Sequence, residues 1–274
     1  LTGGTIRANP TGRPASAVVN QRKRAWSARK AGHAGTLDPS ATGILAIALG
    51  EATKTIPYVT EQVKSYTFEV KWGEATDSDD SDGKIIKTSQ MRPSEQDIIA
   101  ILPRFRGEIK QTPPFFSAVK INGRRAYELA RSGEDFDIAS RSLFVSSLKL
   151  EKYISENSAI LSLECGKGGY VRSIARDLGL ELGCYGHVKW LRRIASGSFN
   201  LSMAHSLDTI LKLNKTSAVN NFILPVELGL STIKHATCTS TAAEKIKNGN
   251  SAPILCKEAR TGDEIWVSYS EIPI

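Results

Sequence analysis

Only four cysteines occur in the 274 residues, Cys165, Cys184, Cys238 and Cys256, and no two of them form a Cys-x-x-Cys pair. Neither a zinc site nor a disulfide framework is indicated, and a reducing, cytoplasmic setting is expected. No apolar run approaches the length that spans a bilayer, and no segment reads as a signal peptide. No membrane partner is therefore expected. Internal repeats and low-complexity tracts are missing as well. Acidic residues are in deficit: 28 Asp and Glu face 36 Lys and Arg, a net charge of +8. An excess of that size suggests a polyanionic partner.

What the chain does have is an ordinary globular composition. Hydrophobic residues make up 41% and charged residues 23%, enough for a sizeable core. The length fits one large domain, or a large domain with a small one. The charge is uneven: residues 221–274 carry −1 and residues 1–220 carry +9. If nucleic acid binds, the larger N-terminal part supplies the attraction. Residues 17–31 read as a helix carrying Arg22, Lys23, Arg24, Arg29 and Lys30, a face suited to phosphate contacts as well as to solvent.

The stretch from His33 to Lys54 holds the most concentrated chemistry. Asp38 sits in a loop bounded by Gly35, Pro39 and Gly43, ahead of the apolar run Ile44–Leu49. Pro39 fixes its own φ and pushes Asp38 toward an extended backbone. The run reads as a strand buried on both faces, and a rigid loop on such a strand is a common place to present a reacting group. Taken alone, Asp-Pro between glycines is a turn signal and nothing more.

Further along, Tyr66–Trp72 alternates as a strand, and Ala52–Val59 reads as a short helix. The acidic run Asp77–Gly83 invites a calcium reading. With Gly83 at the central glycine of an EF-hand loop, the first and last ligand positions fall on Ser78 and Ser89, so the run is read as a hairpin turn leading into Lys84–Thr88. Ser94 with Glu95 and Asp97 marks a helix start. Arg125–Arg131 and Ser206–Leu213 read as short helices, Leu143–Tyr153 and Ala159–Cys165 as strands. Tyr170–Leu182 reads as a helix with Arg172 and Arg176 on one face. Residues 1–20 suggest loop or a weak edge strand, and residues beyond 221 a small β-rich appendix.

Three motifs now stand in order: Gly32-His33-Ala34-Gly35-Thr36-Leu37-Asp38-Pro39 with Ala41-Thr42-Gly43 and Gly50-Glu51-Ala52-Thr53-Lys54; Lys64-Ser65-Tyr66; and Cys165-Gly166-Lys167-Gly168-Gly169-Tyr170-Val171-Arg172-Ser173 with Leu191-Arg192-Arg193. Together they resemble the TruB family of tRNA pseudouridine synthases, from about residue 25 to 200. The resemblance implies an α/β (α+β) fold, a mixed and largely antiparallel sheet flanked by helices. A catalytic domain over 1–220 and a small PUA-like domain over 221–274 follow from it. It also implies isomerisation of the T-loop uridine of tRNA conventionally numbered 55, without cofactor or metal, by a monomer acting on the T-stem-loop. On the matching positions, Asp38, Tyr66 and Arg172 would be catalytic. His33, Tyr66, Tyr170, Leu191, Lys54 and Lys120 would hold the substrate. One stretch departs from the family: Thr5–Pro14 keeps Pro10 and Gly12 but has Asn9 where a lysine is usual, adds Pro14, and thins the apolar strand.

Elementary chemistry supports the same roles. The uracil must leave its glycosidic bond, turn, and reattach through carbon. An ionised carboxylate serves as nucleophile or base, and attack on the base, attack on the sugar and a glycal-like route all remain open to Asp38. Arg172 is the natural counter-ion, because a guanidinium stays charged and pairs bidentately. Unstacking the target base costs roughly a few kcal/mol. Stacking on Tyr66 offsets ~1–3 kcal/mol of that. Two rivals are distinct: a non-catalytic tRNA-binding or folding protein on the same scaffold, and a metal-dependent nuclease or phosphatase using the acids at 77–82.

Overall fold

The computed structural model describes residues 3–9, 14–212 and 217–274. Strand β1 (Gly3–Asn9) leads to helix α1 (Ala15–Ala25), the short strand β2 (Ala31–His33) and strand β3 (Thr42–Leu49). A 3-10 turn over Gly50–Thr55 runs into helix α2 (Ile56–Glu61) and strand β4 (Lys64–Trp72). The hairpin of β5 (Glu74–Thr76) and β6 (Ile85–Thr88) follows, then helix α3 (Glu95–Ile101) and strand β7 (Gly107–Gln111). The small ribbon of β8 (Lys120–Ile121) and β9 (Arg124–Arg125) opens helix α4 (Ala126–Ser132). Strands β10 (Arg141–Ser155) and β11 (Ser158–Cys165) form a long hairpin ahead of helix α5 (Val171–Glu181) and strand β12 (Gly186–Ser196). Strand β13 (Phe199–Asn200), strand β14 (His205–Ser206) and helix α6 (Leu207–Lys212) come next. The chain closes with β15 (Lys234–Thr237), α7 (Ser240–Lys247), β16 (Ile265–Tyr269) and β17 (Ile272–Pro273).

Among the described residues ten strands form one sheet, in the order β14-β1-β3-β12-β4-β11-β10-β7, with β2 paired to β3 and β13 to β12. Its pairs are antiparallel except β1 with β14 and β3 with β12. The expected mixed, largely antiparallel sheet with flanking helices is what the chain forms. The expectation for residues 44–49 also holds, and the register explains it. Leu45, Ile47 and Leu49 face the main core, while Ile44 and Ala46 face a second cluster with Ala34, Val59 and Phe199. Both faces of β3 are covered, so alternation disappears from its sequence. Helix α3 carries the expected cap: the Ser94 hydroxyl accepts from the Asp97 N–H, and Asp97 accepts from the Ser94 N–H. Helix α4 stops at Gly133, which takes a left-handed φ of 70°.

Two expectations change. Residues 3–9 are neither loop nor sheet edge; they pair with β3 along their whole length and with β14 on the other side. The rest of the departing stretch, residues 10–13, lies outside the described residues. The helix expected over 17–31 is Ala15–Ala25, and Gly32 belongs to β2 instead of a helix end. Ser27, with φ of 48°, turns the chain out of the helix. Of the basic residues assigned to that helix, Arg22 is buried, with its guanidinium over the Trp26 ring, while Lys23, Arg24, Arg29 and Lys30 are exposed.

The C-terminal unit is a small three-stranded sheet, β15-β16-β17, with α7 packed on β16. Between it and α6, Phe222 and Ile223 pack on the main core and Leu224 and Leu228 on the second cluster.

Candidate active site

Asp38 lies in the loop that joins β2 to β3. Ala34 N–H donates to Ala46 O, and Ala41 N–H donates back to Asp38 O at 3.0 Å, closing a tight turn around the carboxylate. Leu37 and Ala41 are buried beneath it. The loop re-enters the sheet at Gly43, where φ is 98° and a Cβ would stand 2.1 Å from the Arg193 carbonyl oxygen. Only glycine lets β3 approach β12 this closely.

Arg193, on β12, fastens the loop from behind. It is 1% exposed. Its Nε donates to Ile44 O at 2.8 Å, Nη1 to Thr36 O at 3.2 Å and Nη2 to Gly35 O at 3.3 Å. It stands opposite Tyr66 in the β12–β4 ladder. Burial, with the Arg193 charge adding to it, pushes the Lys64 ammonium down to about 8. The same two causes lower His33, which keeps its imidazole neutral at pH 7. Tyr66 is pushed up by burial, against the pull of Arg193, and stays a phenol. Lys64 in turn donates to the carbonyls of Val59, Thr60 and Gln62, closing the end of α2.

The front of Asp38 meets Arg172 in the first turn of α5. Nε donates to Oδ2 at 2.8 Å and Nη2 to Oδ1 at 3.1 Å, a bidentate pair. The guanidinium is held on its other edges: Nη1 donates to Ser78 O at 3.0 Å and Nη2 to Phe116 O at 3.1 Å. The Arg172 side chain is 6% exposed and that of Asp38 32%, so the carboxylate is the member that a substrate can reach. A cleft of about 310 Å³, open to solvent, is lined by Asp38, Ser40, Asp80, Arg172, Trp190 and Leu191 among others.

The start of α5 is itself tied down. Gln111, at the end of β7, pairs through its amide with both backbone groups of Tyr170, at 3.1 and 2.9 Å. Ser173 donates to Thr112 O at 2.8 Å. The Tyr170 phenol is pushed up by burial and feels Arg141, Asp38 and Arg172, which puts it beside the pair.

Asp38, Arg172 and Leu191 therefore meet in one cleft. Tyr66, His33 and Tyr170 do not line it: Tyr66 and His33 lie on the Arg193 side, and Tyr170 stands at the head of α5. Lys54 and Lys120 are not among the cleft's lining residues. Lys54 is 76% exposed and pairs with Glu51, and Lys120 is exposed on β8. Cys165 offers no competing nucleophile, since burial pushes its thiol up to about 12.

The acidic stretch 77–82 is a hairpin turn, as expected, but a buried one. Ser78, Asp79 and Asp80 are each no more than 9% exposed. Asp79 pairs with Arg176 at 2.9 Å, and Asp80 lies 3.7 Å from the Arg172 Nε. These acids face arginines, which is not the arrangement a metal-dependent nuclease would need. Two arginines four apart on a buried helix require counter-charges, and that requirement was the available signal. The part played by Arg193 had no signal of comparable strength, because a buried arginine on carbonyls looks like any strand arginine in sequence.

Family comparisons agree with this geometry. The model of the TruB family pseudouridylate synthase N-terminal domain matches residues 23–171, and that of the tRNA pseudouridylate synthase B C-terminal domain matches residues 172–231. The chain belongs to the TruB family. The tRNA pseudouridine synthase B of Ruegeria pomeroyi is 48% identical over 269 residues, covering 98% of this chain and 89% of that protein. Its namesake in Dinoroseobacter shibae is 49% identical over 270 residues, with the same coverage. Among solved structures, a Cbf5–Nop10–Gar1 complex gives a TM-score of 0.73 at 24% identity, over 98% of this chain and 75% of the matched one. An H/ACA RNP bound to a substrate RNA containing 2′-deoxyuridine gives 0.74 at 22%, over 98% and 74%. At those identities the likeness shows a shared fold. The family boundary between residues 171 and 172 falls inside the site: the N-terminal match carries Asp38, and the C-terminal match begins at Arg172.

Proposed function

We propose that this protein isomerises a uridine in the T-stem-loop of tRNA to pseudouridine, with Asp38 as the reacting carboxylate. The observation that carries the reading is the bidentate Asp38–Arg172 pair at the mouth of a cleft, with Asp38 the exposed partner. Family membership and relatives named tRNA pseudouridine synthase B support the same reading. The reaction conserves every atom. The C1′–N1 bond breaks, uracil turns, the C1′–C5 bond forms, and the C5 proton departs while N1 gains one. No oxidant or acceptor is needed. The fixed carboxylate serves equally for attack on the sugar, attack on the base, or removal of a sugar proton.

Arg172 holds the Asp38 carboxylate in a fixed direction through its bidentate pair. In a partly desolvated cleft such fixed charges act more strongly than in water. Leu191, Tyr66, Tyr170 and His33 are the residues to hold the extruded base, with Tyr66 as stacking partner. The exposed Lys23, Arg24, Arg29 and Lys30 near the end of α1, together with Lys54 and Lys120, are proposed phosphate contacts. Residues 221–274 are taken as a small PUA-like domain, joined to the catalytic body through Phe222 and Ile223. No described helix is long and apolar enough to cross a membrane, and the protein is taken to act on tRNA in the cytoplasm, as a monomer.

Incubation with a T-stem-loop RNA, followed by nearest-neighbour analysis, tests the reading. Pseudouridine at the single T-loop target is expected, and none in an RNA with cytidine at that position. Binding of the RNA without any product would replace the enzyme by a tRNA-binding protein on the same scaffold.

A further inference from the structure

The acidic turn after β5 is built around a backbone conformation that side chains seldom adopt. Asp79 has φ of 60°, the left-handed region, where Asp is among the better tolerated residues. That twist sends two successive acceptors toward α5. The Ser78 carbonyl takes the Arg172 Nη1 at 3.0 Å, and the Asp79 carboxylate takes the Arg176 Nη1 at 2.9 Å. Arg172 and Arg176 lie one helical turn apart on the same face. Arg176 is fixed further by Asp177 Oδ1 at 2.8 Å and by Thr112 O at 2.8 Å. The turn is held on its far side by β12, where Val188 N–H donates to Asp79 O and Ser81 N–H to Val188 O, both at 3.0 Å. Neither Asp79 nor Arg176 lines the cleft that holds Asp38.

We propose that Asp79 and Arg176 are positioning residues, a second ion pair that docks the acidic turn on α5 and so sets the Ser78 carbonyl and Asp80 that aim Arg172 at Asp38. This rests on the reading of the site given above. The pair acts through Arg172 and does not touch the substrate. Removing it deletes no group that lines the cleft but loosens the turn that carries Asp80 and orients the guanidinium.

The charge on Asp79 is held at a cost to the fold. Burial pushes its carboxyl up to about 6, from 3.8, although Arg176 and Arg172 pull it down; Asp177 pushes it further up. Asp80, on the same turn, is raised by burial as well, and β12 meets Asp79 through the Val188 backbone. A carboxyl raised in this way binds its proton more tightly in the folded state than in the unfolded chain. Its ionised form at neutral pH therefore lowers stability.

Asp79→Asn is the decisive variant, because the amide keeps the shape and removes the charge. The proposal expects a single-turnover rate at saturating T-stem-loop RNA about tenfold below wild type, with RNA affinity unchanged and the melting temperature equal or higher. It also expects the wild-type rate to decline below about pH 6 with a step that the variant lacks. Arg176→Lys, which retains the positive charge, is expected to keep more of the rate than Arg176→Gln. A wild-type rate and pH profile in Asp79→Asn would overturn the proposal, as would a rate loss that merely follows a lower melting temperature. A wild-type protein that binds the RNA but makes no pseudouridine overturns the functional reading instead, and with it the reaction this pair serves.

Discussion

Arg172 and Arg193 are both buried arginines that reach the same loop, and they treat it in opposite ways. Arg193 bonds the carbonyls of Gly35, Thr36 and Ile44, which are neutral backbone groups. Arg172 bonds the carboxylate of Asp38, with the Ser78 and Phe116 carbonyls holding it in place. One arginine fixes where the loop lies, and the other fixes the direction of the group the loop presents. A cation against carbonyls is a scaffold. A cation against a reachable carboxylate, the cation itself held still by carbonyls, is the arrangement on which the proposed chemistry rests.

The comparison breaks most visibly at Arg172. Arg172→Ala is expected to lower the single-turnover rate on the order of 100-fold or more, since it removes the fixed partner of the carboxylate proposed to react. RNA affinity should fall far less. Equal losses in rate and affinity would reduce Arg172 to a phosphate contact. Because Asp80 would also lose its nearby cation, the variant should unfold about 3 kcal/mol more easily, measured by chemical denaturation.

Arg193→Met sharpens the other half. It removes the guanidinium donors from the carbonyls of Gly35, Thr36 and Ile44, and a buried acceptor left without a partner costs about 1–3 kcal/mol. Stability should fall by about 3 kcal/mol or more, and activity should follow the folded fraction. A stable variant with a deep rate loss would make Arg193 part of the chemistry. The smallest effect lies in pH. His33 is lowered by burial and then by Arg193, so its neutral form contributes stability above pH 6.5 that is lost as the pH falls through its folded value. In Arg193→Met the His33 titration, followed by NMR, should move upward. No movement would separate His33 from the Arg193 field.

Much of the fold was legible. The apolar run at 44–49, the capping residues of α3 and the i,i+4 arginines of α5 each carry a local signal that the tertiary structure repeats. Strand β1 was not legible because Gly3–Asn9 carries neither an apolar run nor a clean alternation in its sequence. The short α1 was overextended because the basic residues after Ala25 suit a helix until Ser27 turns left-handed. At the site, Asp38, Arg172 and Leu191 were legible through their motifs. The burial of Asp79 and Asp80 was not, because a run of acids reads as solvated until an arginine face is found for it. Arg193 stood inside a motif without a role, since its partners are carbonyls that any sequence has.

The most direct test of the account is the single-turnover rate of Asp38→Asn on T-stem-loop RNA, with binding measured on the same preparation. Asparagine keeps the shape and can still accept from Arg172, but it cannot act as the reacting carboxylate. The account predicts RNA binding close to wild type and no detectable pseudouridine. Product formed at the wild-type rate would contradict it and move the chemistry away from Asp38.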